Sequence, residues 1–276
     1  MSDKERVAIV TGAGGGIGRE LVNGLLAAGI RVAAVDLSEA ALAGLAAGAP
    51  RDRLLTIAAD LSTDEGAAEA VGQAKGHFGR VDILVNNAGV GQGTLRPANW
   101  QEPLKFWEVT AEDWRRFVAV HTTAPLLLAQ QVAPDMMDAK WGRIVNVTTS
   151  LGTMIRPGSP TYGPSKAALE AFSAIMAKDL DGTGVTVNVL VPGGVTNTPM
   201  VPQEAGFDRA AMIQPAVMAP PLVWLVSDEA GDVTGRRFLA VHWDAKLPPR
   251  QAAEQAGAPV AWTSIATMPI EPPRRG

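Results

Sequence analysis

Apolar runs alternate with stretches of helical periodicity along most of the chain. Short runs of consecutive apolar residues are typical of strands buried on both faces. They predict strands at 6–11, 31–36, 54–59, 81–85, 142–147, 185–191 and 237–241. Helical spacing of apolar residues separates these runs, and the longest such stretch covers about 111–140. The alternation predicts a single-domain α/β fold with a doubly wound parallel sheet of about seven strands and right-handed crossovers.

The composition changes near residue 245, where prolines become frequent. Residues 1–244 are therefore interpreted as one domain, and 245–276 as a proline-rich C-terminal tail without helical or strand periodicity. Three roles for this tail stay open: it wraps a neighbouring subunit, covers the pocket, or is partly disordered.

A glycine-rich turn joins the first predicted strand to the first helix. It reads Gly-Ala-Gly-Gly-Gly-Ile-Gly at 12–18. Residues without side chains let the backbone approach a pyrophosphate, and a helix N-terminus offers N–H groups and a partial positive charge. A merely flexible loop is the alternative, but the flanking strand and helix favour dinucleotide binding.

Acidic residues end the second and third predicted strands. Asp36 lies 18 residues after Gly18, where a carboxylate accepts both ribose hydroxyls of NAD and repels the 2′-phosphate of NADP. Gly15, rather than a basic residue, precedes Gly16, which also favours NAD. The alternative is that Asp36 caps the next helix. Asp60 either binds the adenine amino group or caps a helix that starts near residue 63.

The fourth predicted strand runs into Asn-Asn-Ala-Gly at 86–89. Ligands of open α/β sheets bind outside the carboxyl ends of the strands, so these amides are predicted to face a ligand. Residues 90–109 are less regular and include Trp100, Phe106 and Trp107. This segment is predicted to be either a lid over an apolar or aromatic substrate or a subunit contact.

Tyr162 and Lys166 carry the candidate chemistry. They are four residues apart at the start of a predicted helix, so both side chains lie on one face. A neighbouring ammonium favours phenolate and is expected to lower the pKa of Tyr162 from about 10, which suits proton transfer. Thr148, Thr149 and Ser150 end the preceding strand, and a hydroxyl from this group is a candidate donor to a substrate oxygen.

Composition excludes several other functions. The formal net charge is −4 and the basic residues are scattered, so nucleic acid is not expected as a partner. The absence of cysteine excludes disulfides, thiol nucleophiles and cysteine-ligated metals, and no metal site is predicted. No apolar run is long enough to span a membrane, and no signal peptide is expected before the first strand. The expectation is a cytoplasmic protein.

Five motifs in order resemble those of the short-chain dehydrogenase/reductase family, across about residues 5–241. They are T-G-A-G-G-G-I-G at 11–18, N-N-A-G at 86–89, Y-G-P-S-K at 162–166, P-G at 192–193 and V-T-G at 233–235. The resemblance implies a Rossmann-type domain that binds NAD(P), often as a homotetramer packed through two long central helices.

The resemblance also implies residue roles. Tyr162 is the general acid/base, and Lys166 lowers its pKa and holds the nicotinamide ribose. The other residues implied or predicted to hold the cofactor are Gly12, Gly16, Ile17, Gly18, Asp36, Leu37, Asp60, Leu61, Asn87, Gly89, Pro192, Val195 and Thr198.

Two positions depart from the family pattern. The family usually has serine thirteen residues before the tyrosine, where this chain has Thr149, followed by Ser150; Thr149 is preferred because it requires no gap. The family usually has asparagine after a valine on the long helix, where it supports a water chain to the lysine, and here His121 follows Val120. His121 is either part of a rearranged relay or a core histidine whose hydrogen bonds are satisfied.

These features predict an oxidoreductase that transfers a hydride between NAD(H) and a secondary alcohol or ketone, with Tyr162 as general acid/base. The alternative is a non-catalytic dinucleotide-binding protein with a lapsed active site. The expected substrate is a small alcohol or ketone, apolar or ring-containing. A homo-oligomer, dimer or tetramer, is expected.

Overall fold

A computed structural model describes residues 6–46 and 52–263. Its centre is an eight-stranded sheet with strand order β3-β2-β1-β4-β5-β6-β7-β8, parallel except for the antiparallel pair β7–β8. The strands are β1 Val7–Thr11, β2 Arg31–Asp36, β3 Leu54–Ala58, β4 Ile83–Asn86, β5 Gly142–Val147, β6 Val185–Val191, β7 Arg236–Leu239 and β8 Gly257–Pro259. The predicted doubly wound α/β fold is confirmed.

Helices cover both faces of this sheet. They are α1 Gly16–Ala27, α2 Glu39–Ala46, α3 Asp64–Phe78, α4 Ala111–Val118, α5 Ala124–Asp138, α6 Leu151–Met154, α7 Tyr162–Asp179, α8 Ala219–Leu225 and α9 Pro249–Ala256. One core lies beneath α1, α8 and α9 and includes Leu25 and Leu222. The other lies beneath α3, α5 and α7 and includes Leu128 and Met176. Because both faces are covered, strands such as β1 and β6 are apolar at almost every position.

The helix predicted at 111–140 is interrupted. A π-helical turn, Ala119–Thr123, separates α4 from α5. Pro125 has no N–H to donate to the carbonyl of His121, so the regular hydrogen-bond ladder cannot run through this point. The turn places His121 in the protein interior, where it is fully buried.

The prediction of a tail without regular structure is wrong for 249–259. Helix α9 and strand β8 lie there, and β8 pairs with β7 at the edge of the sheet. Pro249 occupies the first position of α9 and Pro259 ends an edge strand, and proline is tolerated at both kinds of position. The remainder of the tail, 264–276, lies outside the described residues.

No helix within 6–46 or 52–263 combines the length and apolar character that crossing a bilayer requires. Over the same two ranges, no three histidine or acidic side chains cluster as metal ligands would.

Candidate active site

The candidate site lies where the carboxyl ends of β1, β4, β5 and β6 meet. The strand order places β2 on one side of β1 and β4 on the other, so the connections leave β1 and β4 toward opposite faces of the sheet. Such a switch point opens a crevice at the strand ends, and ligands of open α/β sheets bind there. Most of the predicted site residues come together at this edge.

The glycine turn is built for close backbone approach. Gly12 has φ +64°, a conformation that favours glycine. A Cβ on Gly18 would lie 2.0 Å from the carbonyl oxygen of Gly12, and one on Gly14 would lie 2.5 Å from the carbonyl oxygen of Ala41. No side chain caps the N-terminus of α1, and its first turn carries no acidic residue. The residues present therefore fit a pyrophosphate at Gly16, Ile17 and Gly18.

Asp36 supports this turn at the end of β2. Its Oδ2 accepts a hydrogen bond of 2.8 Å from the Gly14 N–H, and its Oδ1 accepts one of 2.7 Å from the Leu37 N–H. The hydroxyl of Ser38 accepts the Ala41 N–H at the start of α2, so the cap of that helix is Ser38 rather than Asp36. The Asp36 carboxylate stays partly exposed beside the glycine turn, where it can also accept ribose hydroxyls.

Asp60 is likewise not the helix cap. The hydroxyl of Thr63 accepts the Gly66 N–H and caps α3. The Asp60 carboxylate is exposed and accepts hydrogen bonds from the N–H and hydroxyl of Ser62, while Leu61 is buried. The other alternative, that Asp60 binds the adenine amino group, stays a prediction.

Asn87 connects the end of β4 to the glycine turn. Its side-chain amide donates to the carbonyl oxygens of Thr11 (2.9 Å) and Gly12 (3.1 Å). The hydroxyl of Thr11 accepts from the main-chain N–H groups of Asn87 and Ala88, both at 3.0 Å. Sequence reasoning missed this role of Thr11, although its place at the end of a buried strand before the glycines was a usable signal.

The loop after β6 also reaches the glycine turn. A Cβ on Gly16 would lie 3.0 Å from Cγ2 of Thr198, so these two predicted cofactor residues are neighbours. Val195 stands on the same loop, where its carbonyl accepts the Ile213 N–H. Pro192 is buried directly after β6.

Lys166 and Tyr162 enter the site from α7. The Lys166 side chain is buried, and its Nζ donates a 2.9 Å hydrogen bond to the carbonyl oxygen of Val147 at the end of β5. Burial lowers the pKa of Lys166 to about 8. Gly89 lies opposite, because a Cβ there would come within 3.7 Å of Nζ.

The surroundings of Tyr162 raise its pKa to about 12, chiefly because burial disfavours phenolate. A hydrogen bond from the Thr149 hydroxyl and the positive charge of Arg156 oppose that rise. The prediction that Lys166 lowers the pKa below about 10 is therefore wrong for this structure. The Lys166 ammonium is itself buried and donates its hydrogen bond to the Val147 carbonyl. It is not among the groups that lower the pKa of Tyr162.

The two candidate hydroxyls have different partners. The Ser150 hydroxyl caps α6, where it contacts the hydroxyl of Thr153 at 2.7 Å and accepts the Thr153 N–H. The Thr149 hydroxyl instead lies near enough to the Tyr162 phenol to lower its pKa. Only Thr149 thus has its hydroxyl directed at the tyrosine.

His121 has both ring nitrogens bonded within the protein. Nε2 accepts the Val90 N–H at 2.9 Å, and Nδ1 contacts the Ser165 hydroxyl at 2.8 Å. Because Nε2 accepts, the proton belongs on Nδ1, which donates to Ser165. The ring also meets Tyr162 edge to face, with centroids 5.3 Å apart. Burial and the charge of Lys166 hold the pKa of His121 well below 6.5, which fits the core-histidine alternative.

The segment 90–109 packs against the site loops through aromatic and polar contacts. Trp100 meets Phe207 edge to face at 4.9 Å, and the guanidinium of Arg156 lies 4.5 Å from the centre of the Trp100 ring. Phe106 and Trp107 are 75 % and 71 % exposed, so most of each side chain faces solvent.

A doubly wound parallel sheet with an uncapped glycine turn at its switch point is the architecture of a dinucleotide-binding α/β protein. The short chain dehydrogenase family model matches residues 6–206. The chain belongs to this family, known as the short-chain dehydrogenases/reductases. It is accordingly an oxidoreductase of a family that binds a nicotinamide dinucleotide.

Individual relatives agree with this assignment. The chain is 30 % identical over 246 residues to a 3-oxoacyl-acyl-carrier-protein reductase of Salmonella typhimurium, covering 85 % of this chain and 95 % of that protein. It is 34 % identical over 192 residues to a D-threitol dehydrogenase of Mycolicibacterium smegmatis, covering 68 % and 69 %. A 3-ketoacyl-acyl-carrier-protein reductase from Brucella melitensis, solved with NADH, has a TM-score of 0.74 at 27 % identity and covers 85 % and 95 %.

Proposed function

We propose that the protein transfers a hydride between NAD(H) and a secondary alcohol or ketone, with Tyr162 as the general acid/base. The observation that carries the proposal is the joint position of Tyr162, Thr149 and Lys166 at the carboxyl end of β5, beside the glycine turn. The Thr149 hydroxyl lowers the pKa of the phenol, so the two groups are neighbours. A carbonyl or carbinol oxygen placed between them would contact both.

Each residue has a separate task in this proposal. A bound nicotinamide supplies or accepts the hydride. Tyr162 donates its phenolic proton to the substrate oxygen in reduction and accepts it in oxidation. Thr149 holds the same oxygen by its hydroxyl. Lys166 places a positive charge beneath the site, anchored on the Val147 carbonyl, and its charge is lost as the pH rises past its pKa of about 8.

NAD is proposed over NADP because of the surroundings of Asp36. Its carboxylate lies between the Gly14 and Leu37 amides, so an additional phosphate beside it would meet like charge. The nearby Arg19 has its guanidinium bonded to the carbonyl oxygens of Gly14 and Ala41. The neighbouring side chain of Leu37 is exposed and apolar, and it offers a phosphate no charge.

Replacing Asp36 tests the cofactor assignment. Asp36→Ala removes the repulsion and the acceptor for ribose hydroxyls, so kcat/KM for NAD should fall and the NADP/NAD ratio should rise by about tenfold or more. The ratio is measured by steady-state kinetics with each cofactor. Asp60→Ala is the matched control, because its carboxylate is exposed at the end of the next strand, and it should leave the ratio within about twofold. An unchanged ratio in Asp36→Ala would remove Asp36 as the discriminator.

The proposed substrate is small and apolar or ring-containing. Trp100 and the buried Met154 lie on segments next to the tyrosine, and Met200 packs against Gly91, where a Cβ would come within 2.6 Å of its Cγ. The Salmonella and Mycolicibacterium relatives are named for a 3-oxoacyl and a polyol substrate, both of which carry the ketone or alcohol that this chemistry requires.

A non-catalytic dinucleotide-binding protein remains the second candidate, because His121 and Thr149 depart from the family pattern. A panel of secondary alcohols and ketones, followed by NADH fluorescence, separates the two functions. Turnover of any member at a rate above the Tyr162→Phe background supports the enzyme. NADH binding without turnover across the panel would favour the lapsed site.

We further propose that the protein forms a homo-oligomer. Ile175 on α7 and Met137 on α5 are 54 % and 38 % exposed, and apolar side chains on neighbouring long helices suit a contact between copies. Light scattering after size-exclusion chromatography should give the mass of a dimer or tetramer rather than that of the 28.8 kDa chain.

A further inference from the structure

Side chains on one face of α7 contact successive residues at the end of β5. Tyr162, Lys166 and Glu170 are four residues apart and therefore lie above one another on the helix. Lys166 donates to the carbonyl of Val147, and the Thr148 hydroxyl donates to Oε2 of Glu170 at 2.7 Å. The Tyr162 phenol meets the Thr149 hydroxyl. Glu170 is thus part of the same row as the two proposed catalytic side chains.

Glu170 is a fully buried carboxylate with donors on both oxygens. Its exposure is 0 %, and that of its partner Arg237 is 6 %. Oε1 accepts from Nε of Arg237 at 2.9 Å and from the N–H of Ala261 at 3.1 Å, while Oε2 accepts from Thr148. The buried carboxylate is tolerated because both of its oxygens accept hydrogen bonds.

Arg237 extends the cluster to the active-site loop. Its Nη2 donates to the carbonyl oxygen of Thr149 at 3.2 Å. The Thr149 main chain is therefore held by Arg237, and the preceding residue, Thr148, is held by Glu170 through its hydroxyl. Charge-assisted hydrogen bonds are directional and stronger than neutral ones, so they restrict the loop in a way that apolar packing would not.

Strand β8 and the turn after it complete the same cluster. Arg237 stands on β7 opposite Ala258 of β8, and the chain turns after β8 so that the Ala261 N–H reaches Glu170. Ala261 has φ +58°, an unusual conformation for a residue with a side chain. The turn therefore directs an N–H inward instead of leaving it to solvent.

We propose that Glu170 and Arg237 are positioning residues that hold the Thr149 hydroxyl next to Tyr162. Because Arg237 lies opposite β8 and Glu170 accepts a hydrogen bond from the turn after it, the position of this hydroxyl depends on the pairing of β8 with β7. This inference rests on the proposed function of Tyr162. Neither residue touches the substrate oxygen; both act through the backbone and side chains of Thr148 and Thr149.

Neutralising the carboxylate tests the proposal. Glu170→Gln keeps the shape but removes the charge, so the Thr149 loop loses its fixed position and kcat should fall about ten- to hundredfold, with an unchanged Kd for NADH. Asp82→Asn is the matched control: Asp82 is 2 % exposed, accepts a hydrogen bond from Arg80, and lies at the amino end of the central strand β4, away from the carboxyl ends that form the site. The control should leave kcat within about twofold at a temperature where both variants are folded.

The pH dependence of oxidation separates positioning from a general loss of stability. The Thr149 hydrogen bond lowers the pKa of Tyr162, so displacing Thr149 should move the alkaline rise of kcat to higher pH in Glu170→Gln and leave it in place in Asp82→Asn. If Glu170→Gln does not fold, the double variant Glu170→Met with Arg237→Met removes both charges and leaves neither unpaired. It should show the same shift.

A double-mutant cycle with Thr149→Ala tests whether Glu170 affects catalysis through Thr149. If Glu170 acts through Thr149, Glu170→Gln in the Thr149→Ala background should change kcat by less than about twofold. A full additional loss in that background, or wild-type kcat and an unmoved pH rise in folded Glu170→Gln, would overturn the proposal. Tyr162→Phe distinguishes the two failures: if that variant remains active, the proposed function fails, and if it is inactive, only the positioning role fails.

Discussion

Tyr162→Phe should lower kcat by about a hundred- to ten-thousandfold, the usual contribution of a positioned general acid or base, while the Kd for NADH stays within about twofold. The variant removes one hydroxyl and keeps the ring that packs against His121, so the fold should persist. Fluorescence titration gives the cofactor affinity, and stopped-flow absorbance of NADH gives the rate. Near-normal turnover would contradict the proposed mechanism.

The pKa of Tyr162 predicts how the rates of oxidation and reduction depend on pH. Because the pKa of Tyr162 is raised to about 12, the phenol is protonated at neutral pH. Alcohol oxidation needs the phenolate, so its rate should rise about tenfold per pH unit from neutral into the alkaline range. Ketone reduction needs the phenol, so deprotonation of Tyr162 should not lower its rate until the pH approaches that pKa. Loss of the Lys166 charge above a pH of about 8 is a separate effect. The residual rate of Tyr162→Phe should lack the rise, and a rise of equal slope in that variant would assign it to another group.

Gly18→Ala should weaken NADH binding by about tenfold or more, equivalent to about 1.4 kcal/mol. The new Cβ would lie 2.0 Å from the Gly12 carbonyl oxygen and 2.8 Å from Cα of Ala13. Both are backbone atoms of the glycine turn, so the turn must move, and the amides at the start of α1 move relative to it. Overpacking of this kind also lowers the free energy of unfolding by about 1–3 kcal/mol.

Gly72→Ala is the matched control for this substitution. Gly72 is exposed on α3, and a Cβ there meets no heavy atom within 4 Å. The free energy of unfolding should therefore rise by about 0.5–1 kcal/mol, because alanine loses less conformational freedom in a helix, and NADH affinity should not change. Isothermal titration and thermal unfolding of both variants measure the difference. Equal NADH affinity for Gly18→Ala and wild type would exclude the turn as the pyrophosphate site.

Local pattern was sufficient for most of the sheet and for the glycine turn. A strand buried on both faces has to be apolar at consecutive positions, and a turn with its backbone against α1 has to be glycine. The same reasoning misjudged residues 249–259, because prolines at a helix start and at an edge strand have the composition of an irregular tail. The pairing of β8 with β7 is what makes them regular.

Residues close together in the chain were enough to predict the family, the doubly wound sheet and the candidate pair Tyr162 and Lys166. Tertiary structure alone decided which hydroxyl faces the tyrosine, because Ser150 is used as a helix cap. It also decided the raised pKa of Tyr162, which follows from burial, and the contact of Glu170 with Arg237, 67 residues away. Burial and long-range hydrogen bonds arise only when the chain closes on itself, so no local pattern carries them.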